Sequence, residues 1–180
     1  MSTFFWLVED LAQAQLVLAM TRHTPAAVSG AGPRFGAHSP HAMRHVVFRL
    51  ERDRYALPLS SIREVVEAPA HYTRVPRAPV SVKGVMNLRG RVVPVVDLKT
   101  LLEVTTPAIQ PLGKVVLLDR GRRELGLLIT DVDGIESIEK VGGVRSSPAV
   151  RGLARVGALA ITVLDADGLD SAVARAFTTR

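Results

Sequence analysis

Three histidines stand close together early in the chain, and they are the first candidates for chemistry. His38, His41 and His45 fall within eight residues, and imidazole nitrogens are common ligands of zinc and similar metals. However, Pro40 breaks any helical face that they would share, and no carboxylate or cysteine stands beside them. We therefore expect no metal site here, and no other pattern in the chain predicts a cofactor.

Catalytic groups are also missing from the rest of the sequence. Acid–base catalysis needs two titratable groups held around one pocket, whereas the carboxylates here alternate with arginines in turn-like runs, ERDR at 51–54 and DRGRRE at 119–124. There is no cysteine to act as a nucleophile, and no serine elbow or phosphate-binding loop is present. The sequence therefore predicts a protein that is not an enzyme.

The net charge of +6 is concentrated in the middle of the chain. Counting lysine and arginine against aspartate and glutamate gives +1 for residues 1–45, +4 for 46–112 and +1 for 113–180. Such an excess favours an acidic protein partner or nucleic acid, although it is also common on ordinary solvated surfaces. Charge alone therefore leaves the type of partner open.

Aromatic residues are scarce in the part of the chain that carries this charge. Small β-barrels that bind single-stranded nucleic acid combine a basic groove with exposed aromatic side chains on which the bases stack. After Met43 the sequence offers only four aromatic residues, Phe48, Tyr55, Tyr72 and Phe177. We therefore expect no nucleic-acid partner and keep a basic nucleic-acid-binding barrel only as an alternative.

Residues 1–44 form an extension whose composition differs from that of the rest. Apolar residues at helical spacing predict a short helix: Phe4, Leu7, Val8, Leu11, Ala14 and Leu18. A stretch rich in Pro, Gly, Ala and Ser follows, which predicts a flexible linker. Glu9 and Asp10 interrupt the apolar run, so neither a membrane span of about 18 apolar residues nor a secretion signal is predicted. With no cysteine in the chain, we expect a cytoplasmic protein.

From Val46 onward, short β-branched runs alternate with charged turns, which predicts an all-β fold. The two halves of this region resemble each other. Val46–Leu50 matches Val115–Asp119 at an offset of 69, and Gly84 matches Gly152 at an offset of 68. A near-constant offset indicates an internal repeat. We therefore predict two similar small barrels, one over about 45–112 and one over about 113–175.

One predicted hairpin carries polar residues where two apolar runs meet, in KGVMNLRGRVVPVVDL, Lys83–Leu98. Gly90 gives the turn an unrestricted φ, and Asn87 suits the turn itself. Arg89 stands in or beside the turn, where a rigid hairpin would hold its guanidinium ready for a carboxylate or carbonyl of a partner. On the pattern alone, a solvated turn charge is an equally good interpretation of Arg89.

The order of these runs resembles the CheW-like domain family, the adaptor module of bacterial chemotaxis signalling. The resemblance covers most of the chain, from residue 45 to about 172, within a domain that we place at 45–175. Four runs carry it: YALPLSSIREVVE, TRVPRAPVSVKGVMNLRGRVVPVVDL, VVLLDRGRRELGLLITDVDGIESI and VRGLARVGALAITVLDADGL. The NLRG motif followed by PVVDL, with an I-x-E-V element upstream, is its most specific part.

The resemblance implies two five-stranded SH3-like barrels, with short helices at the connections and at the C-terminus. It also implies a non-enzymatic scaffold that joins the regulatory domain of a CheA-type histidine kinase to the cytoplasmic tips of chemoreceptors. Other CheW-like domains are a further candidate partner, and recruitment to receptor arrays at the inner membrane is expected, with no direct membrane insertion. A chemotaxis-like pathway with another output, such as surface motility or development, is the alternative.

Specific residues can be assigned roles through this resemblance. The family's coupling arginine corresponds to Arg89 and the motif asparagine to Asn87, and the I-x-E element places Ile62 and Glu64 near the same partner. Two glycines of the motif are expected to serve the backbone, Gly84 and Gly90. Ile62, Val65 and Val85 are candidates for an apolar contact patch, although Val65 and Val85 are rather expected in the core.

Overall fold

A computed structural model describes residues 43–105, 113–121, 123–143 and 147–178. The helix and linker predicted before Met43, and with them His38 and His41, lie outside these residues. Ten strands follow in order: β1 Met43–Leu50, β2 Asp53–Pro58, β3 Ile62–Glu67, β4 Val82–Leu88, β5 Arg91–Asp97, β6 Lys114–Arg120, β7 Arg123–Ile129, β8 Asp131–Ile138, β9 Val150–Val156 and β10 Leu159–Leu164. The helical elements are short: Leu59–Ser61, Leu98–Leu101 and Ala166–Thr178.

These strands form two five-stranded sheets, which confirms the predicted all-β fold. The first sheet has the order β8-β1-β2-β10-β9 and the second the order β3-β6-β7-β5-β4. Each sheet therefore takes strands from both halves of the chain. The hairpin of one half forms the centre of a sheet, because the other half adds strands along both of its open edges.

The predicted division near residue 112 thus follows the sequence repeat and does not separate the two sheets. Parallel pairing of β10 with β2 and of β5 with β7 joins the halves. Because the two halves have similar sequences, a strand finds the same hydrophobic pattern in a strand of its own half and in the equivalent strand of the other half. The hydrophobic pattern therefore does not decide with which of the two it pairs.

The repeat is nevertheless reproduced in the backbone. Gly84 in β4 has a φ of +145° and Gly152 in β9 has a φ of +156°, and both lie in the region that favours glycine. A Cβ atom would lie 2.5 Å from the Thr73 carbonyl oxygen at Gly84, and 2.5 Å from the Gly142 carbonyl oxygen at Gly152. The two halves therefore use their glycines for the same close approach between backbone segments.

Each sheet curls so that its outer edges approach one another. In the second sheet, Thr73, on the chain leaving edge strand β3, forms an isolated bridge with Val85 in the other edge strand, β4. In the first sheet Gly142, which follows β8, bridges Leu153 in β9 in the same way. The described part of the chain has no continuous ladder between the two edges of a sheet. The isolated bridge holds the two edges near each other, so each sheet is curled like a barrel.

The main core contains apolar side chains from both sheets. Several of its large side chains are fully buried: Phe48, Leu50, Leu57, Leu118, Leu127, Ile129, Leu164 and Leu169. Val65 is 8% exposed within this core, as expected, whereas Val85 is only half-buried. Leu169 brings the C-terminal helix Ala166–Thr178 against the same core. No helix in the described ranges has both the length and the hydropathy to cross a membrane.

Buried His45 predicts a loss of stability in acid. Its ring is 2% exposed, and its Nδ1 lies 2.8 Å from the Met43 carbonyl oxygen, to which the N–H donates. Burial lowers the pKa of His45 below its ordinary value of 6.5, and the charge of Arg151 acts in the same direction against the opposing hydrogen bond. The unfolded chain therefore takes up a proton at a higher pH than the folded chain does. The contribution of His45 to the free energy of unfolding is present above pH 6.5 and falls as the pH drops from there toward the lower folded pKa.

Urea unfolding followed at about pH 7.5 and pH 5.5 tests this prediction. The wild-type chain should lose more stability between the two values than His45→Gln does. Because His71 is exposed, the control His71→Gln should keep the wild-type dependence. An equal loss in wild type and in His45→Gln would contradict the prediction.

Candidate partner-binding surface

The turn between β4 and β5 consists of two residues, Arg89 and Gly90. Their φ angles are +51° and +83°, and two positive values are the mark of a type I′ turn, whose twist matches that of the strands. Asn87 supports this turn, because its Oδ1 accepts a hydrogen bond from the Gly90 N–H at 2.9 Å. A Cβ at Gly90 would have no atom within 4 Å. Gly90 is therefore required for its backbone conformation and not for space.

Arg89 and Glu64, both expected near the partner, form an ion pair with each other. The Nη2 atom of the Arg89 guanidinium lies 3.1 Å from Oε2 of Glu64. The Arg89 side chain is 68% exposed, whereas that of Glu64 is 16% exposed. The ion pair joins the turn after β4 to strand β3. Strands β3 and β4 are the two edges of the second sheet. Curling of the sheet thus brings together two residues that stand 25 positions apart in the sequence.

A second ion cluster lies on strands of the same sheet. Glu124 in β7 is 12% exposed, and its Oε1 pairs with Nη1 of Arg63 in β3 and with Nη1 of Arg91 in β5. The charged run at 119–124 predicts a turn position for Glu124, whereas the structure places it in strand β7. No local pattern could have identified its partners, because β3 is separated from β7 by β6 in the sheet. The only available signal was that Arg63 and Arg91 stand next to the two motif elements.

The apolar residues do not all lie where the sequence suggested. Ile62 is half-buried and packs against the main core, so its side chain serves the fold as well as any contact. The exposed apolar group is instead Val92, which is 72% exposed and lies opposite Asn87 across the hairpin. Val85 and Pro94 also lie opposite each other, two residues further along the two strands of this hairpin. Together these side chains offer a small apolar strip beside a polar turn.

The partly buried carboxylates of this surface are engaged in ion pairs. Both of them, Glu64 and Glu124, are paired with arginines and are not available as general bases. In the described ranges no group of three histidine, cysteine or acidic side chains is arranged to hold a metal ion. Charged groups around a modest apolar strip are typical of protein–protein contacts.

Comparisons with known proteins agree with this architecture. Residues 44–173 match the CheW-like domain family. The chain is 27% identical over 104 residues to the chemotaxis protein CheW of Klebsiella aerogenes, which covers 58% of this chain and 60% of the relative. It is 29% identical over 89 residues to protein PilI of Pseudomonas aeruginosa, which covers 49% of each. The chain therefore spans about half to three fifths of the length of these two relatives.

Solved structures give a matching fold. The scaffolding protein TtCheW from Thermoanaerobacter tengcongensis superposes with a TM-score of 0.60 over 69% of this chain and 89% of that protein, at 24% sequence identity. The family match extends over the whole described domain, from β1 into the C-terminal helix. This chain therefore belongs to the CheW-like domain family.

Proposed function

We propose that this protein is a non-catalytic adaptor that couples chemoreceptors to a CheA-type histidine kinase. The observation that carries the proposal is the Glu64–Arg89 pair, held on a two-residue turn that Asn87 supports. The turn sets the backbone conformation of Arg89 and its guanidinium pairs with Glu64, while 68% of its side chain stays exposed to a partner. An arginine ordered before binding loses less conformational freedom when it forms a contact.

The nucleic-acid alternative is opposed by the positions of the aromatic side chains. Phe48 is fully buried and Tyr55 is 9% exposed, and their rings stack on one another at 6.2 Å. Within the described part of the chain, Phe177 near the end of the C-terminal helix is the one aromatic residue among the large exposed apolar residues. Bases would therefore find no row of aromatic platforms beside the arginines.

Calorimetric titration of the full chain against the regulatory domain of a CheA kinase from the same organism tests the proposal. We expect micromolar binding, and Arg89→Ala should weaken it about tenfold, as expected for a contact arginine. Arg52→Ala is the matched control, because Arg52 is an exposed arginine in the β1–β2 turn of the other sheet. A folded wild-type chain that binds neither the kinase domain nor a receptor tip would overturn the proposal.

A further inference from the structure

The ionic surface of the second sheet has two layers. Its carboxylates lie underneath, with Glu64 16% and Glu124 12% exposed. Its guanidiniums lie above them, with Arg63 41%, Arg91 44% and Arg89 68% exposed. A partner approaching this sheet therefore meets positive charge first.

Each guanidinium also keeps unused donors. The ion pairs within the described chain involve one nitrogen per arginine: Nη1 of Arg63, Nη1 of Arg91 and Nη2 of Arg89. A guanidinium carries five N–H donors in a planar fork that fits a carboxylate through two of them. Three such forks on one sheet suit a partner that presents several carboxylates.

We propose that Arg63, Arg89 and Arg91 receive acidic side chains of the kinase regulatory domain, and that Glu124 is the positioning residue that holds two of them. This inference rests on the proposed function and adds the chemistry of the partner. Glu124 bonds Arg63 and Arg91 through one shared oxygen, Oε1. Because both guanidiniums bind this one oxygen, it sets the distance between the Arg63 and Arg91 side chains, which come from different strands.

One exposed acid limits the surface on the side of the β6–β7 turn. Asp119 lies opposite Glu124 across the β6–β7 ladder and is exposed. Its Oδ1 accepts a hydrogen bond from the Gly121 N–H at 3.2 Å, so its carboxylate is directed to its own turn. The partner's carboxylates are therefore placed over Arg63 in β3 and Arg91 in β5.

The test uses the full chain and the same kinase domain, with binding rates measured at about 50 and 200 mM salt. Arg63→Gln and Arg91→Gln should each weaken binding about threefold to tenfold at the lower salt and should reduce its salt dependence. The matched control Arg52→Gln should change neither. Glu124→Gln should speed association, because it adds net positive charge, and should speed dissociation more, because the two forks lose their common anchor.

The outcomes separate this inference from the proposed function. A folded wild-type chain that does not bind the kinase domain removes the inference, and the adaptor role falls with it if a receptor tip is not bound either. Wild-type binding that is unaffected by both arginine changes and by salt overturns the inference alone. Displacement of the kinase domain by a single-stranded oligonucleotide at lower concentration would also overturn it, since the surface would then be selecting phosphates. A Glu124→Gln chain with unchanged rates would remove the positioning role.

Discussion

Replacing Gly84 with alanine is expected to lower the free energy of unfolding by about 3 to 5 kcal/mol. Two costs combine at this position. The φ of +145° is one that residues with a Cβ rarely adopt, and the new Cβ would lie 2.5 Å from the Thr73 carbonyl oxygen. That oxygen accepts the Val85 N–H at 2.8 Å, so it cannot withdraw without breaking the bridge that curls the second sheet. The same change at Gly152 should cost as much, because its geometry is equivalent.

Gly134 provides the matched control for this prediction. Its φ is +155°, but a Cβ there would have no atom within 4 Å. Gly134→Ala should therefore show the cost of the backbone conformation alone, about 1 to 3 kcal/mol. Urea unfolding of the three variants measures the difference. If Gly84→Ala costs no more than Gly134→Ala, the close approach of Thr73 is not what requires glycine at position 84.

The features that the sequence predicted well depend on neighbouring residues. The β4–β5 hairpin follows from two apolar runs around Arg89 and Gly90, and the turn type depends on those residues and on Asn87. The repeat was visible because each half keeps a glycine at the same place in its last hairpin. Patterns that involve only neighbouring residues can be recognised without knowledge of the tertiary structure.

Strand pairing could not be obtained in the same way. The partner of β1 on one side is β2, which begins at Asp53 directly after the turn at 51–52, but on the other side it is β8, which begins at Asp131. Hydrophobic alternation decides which face of a strand is buried and does not name its neighbour. The contacts of Glu124 were missed for the same reason, because they depend on the order β3-β6-β7-β5.

Reversing the charge of Arg89 is expected to have the largest effect on partner binding. Arg89→Glu would set two carboxylates against each other where Arg89 and Glu64 now lie 3.1 Å apart. Because Arg89 is 68% exposed, solvent screens this repulsion, and the stability of the fold should fall by only about 1 kcal/mol or less. Binding of the kinase domain should weaken about tenfold to a hundredfold, since the variant also turns a negative charge toward the partner.

Exchanging the two charges separates the internal pair from the outward charge. The double variant Glu64→Arg with Arg89→Glu restores an attractive pair, so unfolding in urea should return close to wild type. The exposed position, 89, would then carry a carboxylate, while the arginine occupies position 64, where the present side chain is only 16% exposed. If the partner responds to positive charge at the turn, calorimetric binding stays weak although the fold has recovered. Recovery of binding along with stability would instead show that the pair acts by shaping the turn, and that Arg89 does not itself contact the partner.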